Sequence, residues 1–338
     1  MNPDATAVTP ERILQLAWGY APPLAIEAAI HHRVFDVLDA GPKTLAETAA
    51  ATGASERGLS GIMNLLTGFN FLGKTDDGRY TLTPESAAFL VSTKPAFQGG
   101  LFRHISKQLL PKWTQLNEIV ATGKPAVAVN QEGTGSEFFQ QLVMDIFALS
   151  YAPATTLAHH LNFGTEGAPV SVLDLAAGSA VWSIAQAQCS PRVIATAVDW
   201  PEVLEVTQKS VARFGLTDRY TFSPGDLKQA DFGSNHQLAI LGHILHSEGA
   251  ERSKALLRKT FDSLAPGGTI AIAEFLVNAD RTGPPGGVIF AVNMLVNTDD
   301  GDTYSLEEIS AWLHDAGFTN LRQLEAPGPS PLVLATKP

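Results

Sequence analysis

From Val170 to Leu175 the chain reads Val-Ser-Val-Leu-Asp-Leu, an apolar and β-branched run with little polar alternation. That is the pattern of a strand buried on both faces. It breaks into Ala176, Ala177, Gly178, Ser179 and Ala180, whose small side chains let the backbone turn tightly and a ligand approach. Val181 to Gln188 then reads as a helix, and Arg192 to Val198 as a second strand ending in Asp199. An acid at that strand end, roughly 20 residues after the turn, is placed to hold a ribose by its hydroxyls. A dinucleotide fingerprint would carry three glycines; here only Gly178 is one, with Ala176 and Ala180 beside it.

The alternation continues downstream. Trp200-Pro201 opens a helix, and Tyr220 to Pro224 is a third strand running into Gly225-Asp226-Leu227. Gln237 to Gly242 is a fourth, leading to His243-Ile-Leu-His246-Ser-Glu248. A helix over Glu251 to Leu264 stops at Pro266-Gly267-Gly268, and Thr269 to Phe275 is the fifth strand. Ser305 caps a last helix that Gly317 ends, and two closing strands follow. Strands alternating with helices predict an α/β, doubly wound parallel sheet that binds ligands at the carboxyl ends of its strands. Asp174, Asp199, Asp226, His246 and Glu274 all fall at or just beyond such ends.

Before that sheet, Pro10 to Leu38 has helical periodicity, and Pro22-Pro23 divides it into two helices. Thr44 and Glu47 have capping-box spacing, Gly53 stops the helix they open, and Ser55 starts another over Glu56 to Phe69. Asp77-Gly78 marks a hairpin between Phe71 and Thr83. Helix, turn, helix and hairpin predict a winged helix over residues 1–100. Its second helix offers only Arg57 as a cation, too little for phosphate contacts, so a dimerisation or substrate-capping module is expected, with Trp18, Tyr20 and Phe35 facing a partner. Residues 101–338 form the ligand-binding domain, with a helical connector over 101–165. In that connector Trp113 anchors a helix, glycines from Gly123 to Gly135 form a loop, and Glu137 to Asn162 is one long helix.

The 338 residues carry a net charge of -11, which argues against a nucleic-acid partner. Hydrophobic residues make up 45% and charged ones 17%, enough apolar material for two cores. The single cysteine, Cys189, allows no internal disulfide and no cysteine zinc site, and suits a reducing cytoplasm. No apolar run has membrane-spanning length, and Met1 to Pro10 lacks the start of a signal peptide. No metal site is expected.

Taken in order, Val172-Leu-Asp-Leu-Ala-Ala-Gly-Ser-Ala, Val198-Asp-Trp-Pro, Pro224-Gly-Asp-Leu, Ile244-Leu-His246 and Leu264-Ala-Pro-Gly-Gly-Thr with Glu274 resemble one family. It is the class I S-adenosylmethionine-dependent methyltransferases, more narrowly the O-methyltransferases with an N-terminal winged-helix dimerisation domain, which include plant phenolic and bacterial natural-product enzymes. The resemblance covers nearly the whole chain. It implies a Rossmann-like fold, S-adenosyl-L-methionine as cofactor, a homodimer, and methyl transfer to a hydroxyl of a small aromatic or polyketide-like acceptor of secondary metabolism. It further implies that Gly178 and its neighbours pass under the methionine part, Asp199 accepts from the ribose, Asp226 binds the adenine amino group, and Leu227 and Trp200 pack on its ring. Ser150 aligns with a serine at the cofactor carboxylate; Asp174, Ala176, Gly225 and His243 complete the cofactor set. His246 is the implied base, oriented by Glu274. The family's second orienting acid is replaced by Thr303, with Asp302 as substitute. Leu142, Ile146, Phe147, Phe290, Asn293, Met294 and Asn297 would wall the acceptor.

Read from its residues alone, a histidine suits the removal of an acceptor proton near neutral pH. The remaining histidines, among them His104 and His236, read as solvent-facing. The same cofactor fold also serves C- and N-methylation and chemistry without methyl transfer, and a winged helix could belong to a cofactor-sensing regulator.

Overall fold

The computed structural model describes residues 8–338, so Met1 to Ala7, part of the stretch read above for a signal peptide, lie outside the described residues. The chain divides into two compact units, Met1–Leu110 and Pro111–Pro338. No helix among the described residues is long and apolar enough to cross a membrane.

The first unit holds α1 (Glu11–Ala17), α2 (Ala21–His31), α3 (Val34–Asp39), α4 (Leu45–Thr52), α5 (Glu56–Gly68), the antiparallel pair β1 (Leu72–Lys74) and β2 (Tyr80–Leu82), α6 (Pro84–Phe89) and α7 (Gly99–His104). Three helices therefore occupy the stretch expected to hold two: Arg33 takes a left-handed conformation (φ 58°) that ends one helix and starts the next. Thr44 accepts from the Glu47 amide at 3.2 Å while Glu47 accepts from the Thr44 amide at 2.7 Å, so the capping box closes. Gly53 ends that helix in the left-handed region. Phe35 is fully buried with Leu59, Met63 and Leu66, a core residue rather than part of a partner face. Ile13, Leu14, Leu16, Trp18 and Tyr20 are exposed.

A π-helical turn (Ile105–Leu109) and α8 (Leu110–Trp113) lead into the second unit. There α9 (Leu116–Thr122), α10 (Glu132–Asp145) and α11 (Phe147–Leu161) precede the sheet. The single helix expected over Glu137 to Asn162 is two, because the backbone leaves helical geometry at Ile146 (φ -103°, ψ 4°). The loop before them ends at Gln131, and Gly133 and Gly135 are helical. Then follow β3 (Val170–Leu175), α12 (Val181–Cys189), β4 (Val193–Asp199), α13 (Pro201–Arg213), β5 (Tyr220–Pro224), β6 (His236–Gly242), α14 (Leu245–Glu248), α15 (Ala250–Ser263) and β7 (Leu264–Ala273). The short parallel pair β8 (Leu276–Val277) and β9 (Tyr304–Ser305), α16 (Pro285–Asn297), α17 (Leu306–Asp315), β10 (Thr319–Leu324) and β11 (Leu332–Thr336) complete the unit. Strand β7 begins earlier than its sequence suggests, since Leu264 already pairs with His236 before a register shift lets Pro266-Gly267-Gly268 pass.

The strands order as β10-β11-β7-β6-β3-β4-β5, with the five from β7 to β5 parallel and β11 and β10 antiparallel. Alternate residues explain the double winding. Leu173 and Leu175 join Leu257, Ile309 and Leu313 on one face, while Val170 and Val172 join Leu157, Ile184 and Ala185 on the other. Each fully buried aliphatic side chain of this kind contributes roughly 1.5–3 kcal/mol. The order reverses between β3 and β6, so their carboxyl ends open the crevice where such sheets bind ligands.

Candidate active site

Each wall of that crevice follows from a strand end. After β3 the backbone enters the left-handed region at Ala176 (φ 52°), Gly178 (φ 56°) and Ala180 (φ 57°). Two alanines there carry a strain that glycine would avoid, and such strain gathers at functional turns. The turn is tied to β4, because the Gly178 amide donates to Asp199 Oδ2 at 2.8 Å and Thr207 donates to the Gly178 carbonyl at 2.7 Å. Asp199 Oδ1 accepts from the Trp200 amide at 2.8 Å. Burial pushes the Asp199 carboxyl up to about 6, against the two amide bonds that lower it. Each oxygen takes one amide and keeps a second lone pair, a donor set that fits a ribose diol.

Trp200 caps α13, and its ring meets Phe139 at 5.9 Å. Gly135 is required beneath it, since a Cβ there would stand 2.6 Å from the indole. Beyond β5, Gly225 has φ 142°, Asp226 is half-buried with its carboxylate on the Lys228 amide at 2.9 Å, and Leu227 is buried. Ser150 is buried on α11. Asp174 is buried at the end of β3, close enough to Asp199 to feel its charge. Its carboxylate accepts from the Ser183 hydroxyl at 2.5 Å and amide at 3.3 Å, anchoring α12, and burial raises it to about 7.

At the other wall, His246 Nδ1 lies 2.7 Å from Glu274 Oε2, and the His246 amide donates to Glu274 Oε1 at 3.3 Å. Both residues are buried, just past β6 and β7. Burial works to raise Glu274, but the imidazole's charge and hydrogen bonds hold it below the ordinary carboxylate range. An ionised carboxylate only accepts, so His246 donates to it from Nδ1 and turns Nε2 away from Glu274. Phe290 meets the imidazole edge-on at 4.9 Å, and Phe275 stacks on Phe290 at 3.9 Å.

His243 sits in the same wall with φ 62°, its Nε2 2.8 Å from Ser330 Oγ, and burial pushes it down to about 4. Gly242 before it admits the Trp182 indole, whose Nε1 would lie 2.2 Å from a Cβ. Asp302 is no substitute acid: its carboxylate pairs with Arg281 at 2.8 Å, and only its amide reaches the His246 carbonyl, at 2.9 Å. Thr303 is buried and donates to the Gly287 carbonyl, so Glu274 alone holds the ring among the residues considered for that role. Glu248 is paired with Arg252. His104 and His236 are buried and hydrogen-bonded rather than solvent-facing.

Some of the residues expected to wall an acceptor contact one another. Asn293 Oδ1 accepts from Trp113 at 3.0 Å and Asn297 at 3.1 Å, and Asn297 Oδ1 accepts from Lys112 at 3.0 Å. Met294 is buried, and Leu142 and Ile146 are half-buried. Phe147 belongs elsewhere: it stacks on Tyr151 at 5.7 Å and Phe214 at 5.6 Å, below the far end of α13. Phe275, Ser330, Arg281 and Lys112 escaped the sequence reading. Phe275 alone had a local signal, as the aromatic neighbour of Glu274.

Comparison with known proteins fits this layout. Residues 14–92 match the family model of the O-methyltransferase dimerisation domain, and residues 154–319 that of the O-methyltransferase domain. The chain is 28% identical to the 3-hydroxy-5-methyl-1-naphthoate 3-O-methyltransferase of Streptomyces sahachiroi, over 97% of this chain and 95% of the relative. It is 27% identical to the tetracenomycin polyketide synthesis 8-O-methyl transferase TcmO of Streptomyces glaucescens, with 100% of both chains covered. A crystal structure from Nostoc punctiforme, provisionally assigned as an O-methyltransferase, superposes with a TM-score of 0.88 at 27% identity, over 98% of this chain and 100% of that one.

Proposed function

Because the chain belongs to the S-adenosylmethionine-dependent O-methyltransferases, we propose that it methylates a hydroxyl on a flat aromatic or polyketide-derived acceptor, with His246 as general base. The observation that carries this reading is the buried His246–Glu274 pair, 2.7 Å apart, across the crevice from the Asp199 turn. The bound cofactor supplies a methyl already activated by a sulfonium, so the protein has to align the acceptor oxygen and take its proton. Glu274 fixes the tautomer and steadies the imidazolium once Nε2 is protonated. Asp199 receives the ribose, Asp226 and Leu227 face the adenine, and the Gly178 turn passes under the amino-acid end. Phe275 and Phe290 offer flat apolar faces beside the base. Acceptors like those named for the two relatives, a naphthoate and a tetracenomycin polyketide, suit such walls.

The first unit serves dimerisation: the exposed Ile13, Leu14, Leu16, Trp18 and Tyr20 form an apolar face that a second copy would cover. The second unit serves catalysis. An exposed free thiol at Cys189 suits a cytoplasmic setting.

Incubation with methyl-labelled cofactor and a hydroxynaphthoate, followed by mass spectrometry, tests the chemistry. A labelled methyl ether is the expected product. Label on carbon or nitrogen would overturn the hydroxyl assignment.

A further inference from the structure

Lys112, on α8, holds its ammonium 3.0 Å from Asn297 Oδ1 and 4.9 Å from the centre of the Phe138 ring. The residue is half-buried, and among the described residues it forms no ion pair. Burial holds it below the ordinary lysine range, and no neighbouring charge lifts it back. An ammonium has three N–H donors, of which Asn297 takes one. A partly desolvated cation whose partners are a neutral amide and a ring face is left under-compensated. Its place relative to the imidazole follows from α16. Phe290, Asn293 and Asn297, at i, i+3 and i+7, share one face of that helix. Phe290 meets His246 at 4.9 Å, and Asn293 accepts from Trp113, the neighbour of Lys112. Seven residues of helical rise set the ammonium roughly 10 Å along α16 from the ring beside the imidazole.

We propose that Lys112 binds a carboxylate of the acceptor, which makes the substrate a fused-ring hydroxy acid whose acid and methylated hydroxyl lie at opposite ends. The proposal rests on the reading above, in which His246 receives the hydroxyl proton. A carboxylate answers the free ammonium donors with charge-assisted hydrogen bonds and supplies the missing countercharge. A two-ring scaffold substituted at both ends spans about the distance from His246 to Lys112, and Phe290 and Phe138 offer ring faces near its two ends. A chain with net charge -11 repels anions at long range, so a local cation is what lets it take an acidic acceptor. Lys112 thereby sets specificity and takes no part in the proton transfer.

The test uses full-length protein saturated with S-adenosylhomocysteine and two probes, 6-hydroxy-2-naphthoate and 2-naphthol, which share ring and hydroxyl and differ in the acid. Calorimetric titration should show the naphthoate bound roughly tenfold or more tightly than the naphthol, the worth of about one charge-assisted pair. Lys112→Met, similar in length and uncharged, should bring the two affinities to within about twofold of each other, and Lys112→Arg should keep the preference. Lys112→Gln gives the same comparison if the methionine variant fails to fold. Equal affinity of the wild type for both probes, no binding of either, or a preference untouched by loss of the charge would overturn the proposal. Failure of the underlying reading looks different: the naphthoate then binds with the Lys112-dependent preference, yet labelled cofactor yields no methyl ether.

Discussion

His246 is where the proposed chemistry narrows to one atom. Replacing it by alanine should leave S-adenosylhomocysteine affinity intact and lower turnover by about 10²–10⁴, the usual contribution of a positioned base. Near wild-type turnover at neutral pH would remove it from that role. Asp199 answers to a different measurement. Its carboxyl titrates at about 6, and ribose hydroxyls donate best to the ionised form, so S-adenosylhomocysteine affinity should fall as pH drops through that value. Calorimetric titration from pH 8 to pH 5 checks it, and a flat profile would place the ribose elsewhere. His243 lies near His246 yet is held neutral by burial, so it is not the group that a pH–rate profile near neutrality would follow.

Among the elements, the strands were the most legible, because uninterrupted apolar runs between small-residue turns have few other readings. Caps at Thr44, Ser55 and Ser305 were equally clear, since a hydroxyl three residues before a free amide has a local geometric consequence. The helix breaks at Arg33 and Ile146 were not, for neither residue is a glycine or proline and tertiary packing decides where the backbone turns. For the same reason the site was only half visible. Residues at strand ends could be placed by topology, whereas Arg281, which ties down Asp302, Glu308 and the Thr303 carbonyl, acts across loops with no period to read. Gly242 shows how one element constrains another. Gly242→Ala should push the Trp182 indole out of place and disturb β6 at its carboxyl end, lowering the melting temperature by several degrees, as a clash of about 1–3 kcal/mol would. An unchanged transition would mean that the indole moves at no cost.

For the whole molecule, two buried carboxyls tie stability to pH. Asp174 rises from 3.8 to about 7 and Asp199 from 3.8 to about 6, so the folded chain holds these protons more tightly than the unfolded one. Their contribution is therefore full below about pH 4 and is lost as pH climbs toward 7, a change on the order of a few kcal/mol. Urea unfolding of cofactor-free protein should show that decline, and Asp174→Asn should flatten it; a variant with the slope of the wild type would refute the assignment.

His246 and Glu274, proposed above to handle the proton, follow β6 and β7, neighbours deep in the sheet, while Asn293 and Met294 stand on α16 and Lys112 on α8. Helix α16 meets the imidazole only through Phe290 among the ring contacts described. On the proposed reading, exchange of Asn293, Met294 or Lys112 would retarget the acceptor while the strands that lead to the imidazole stay in place.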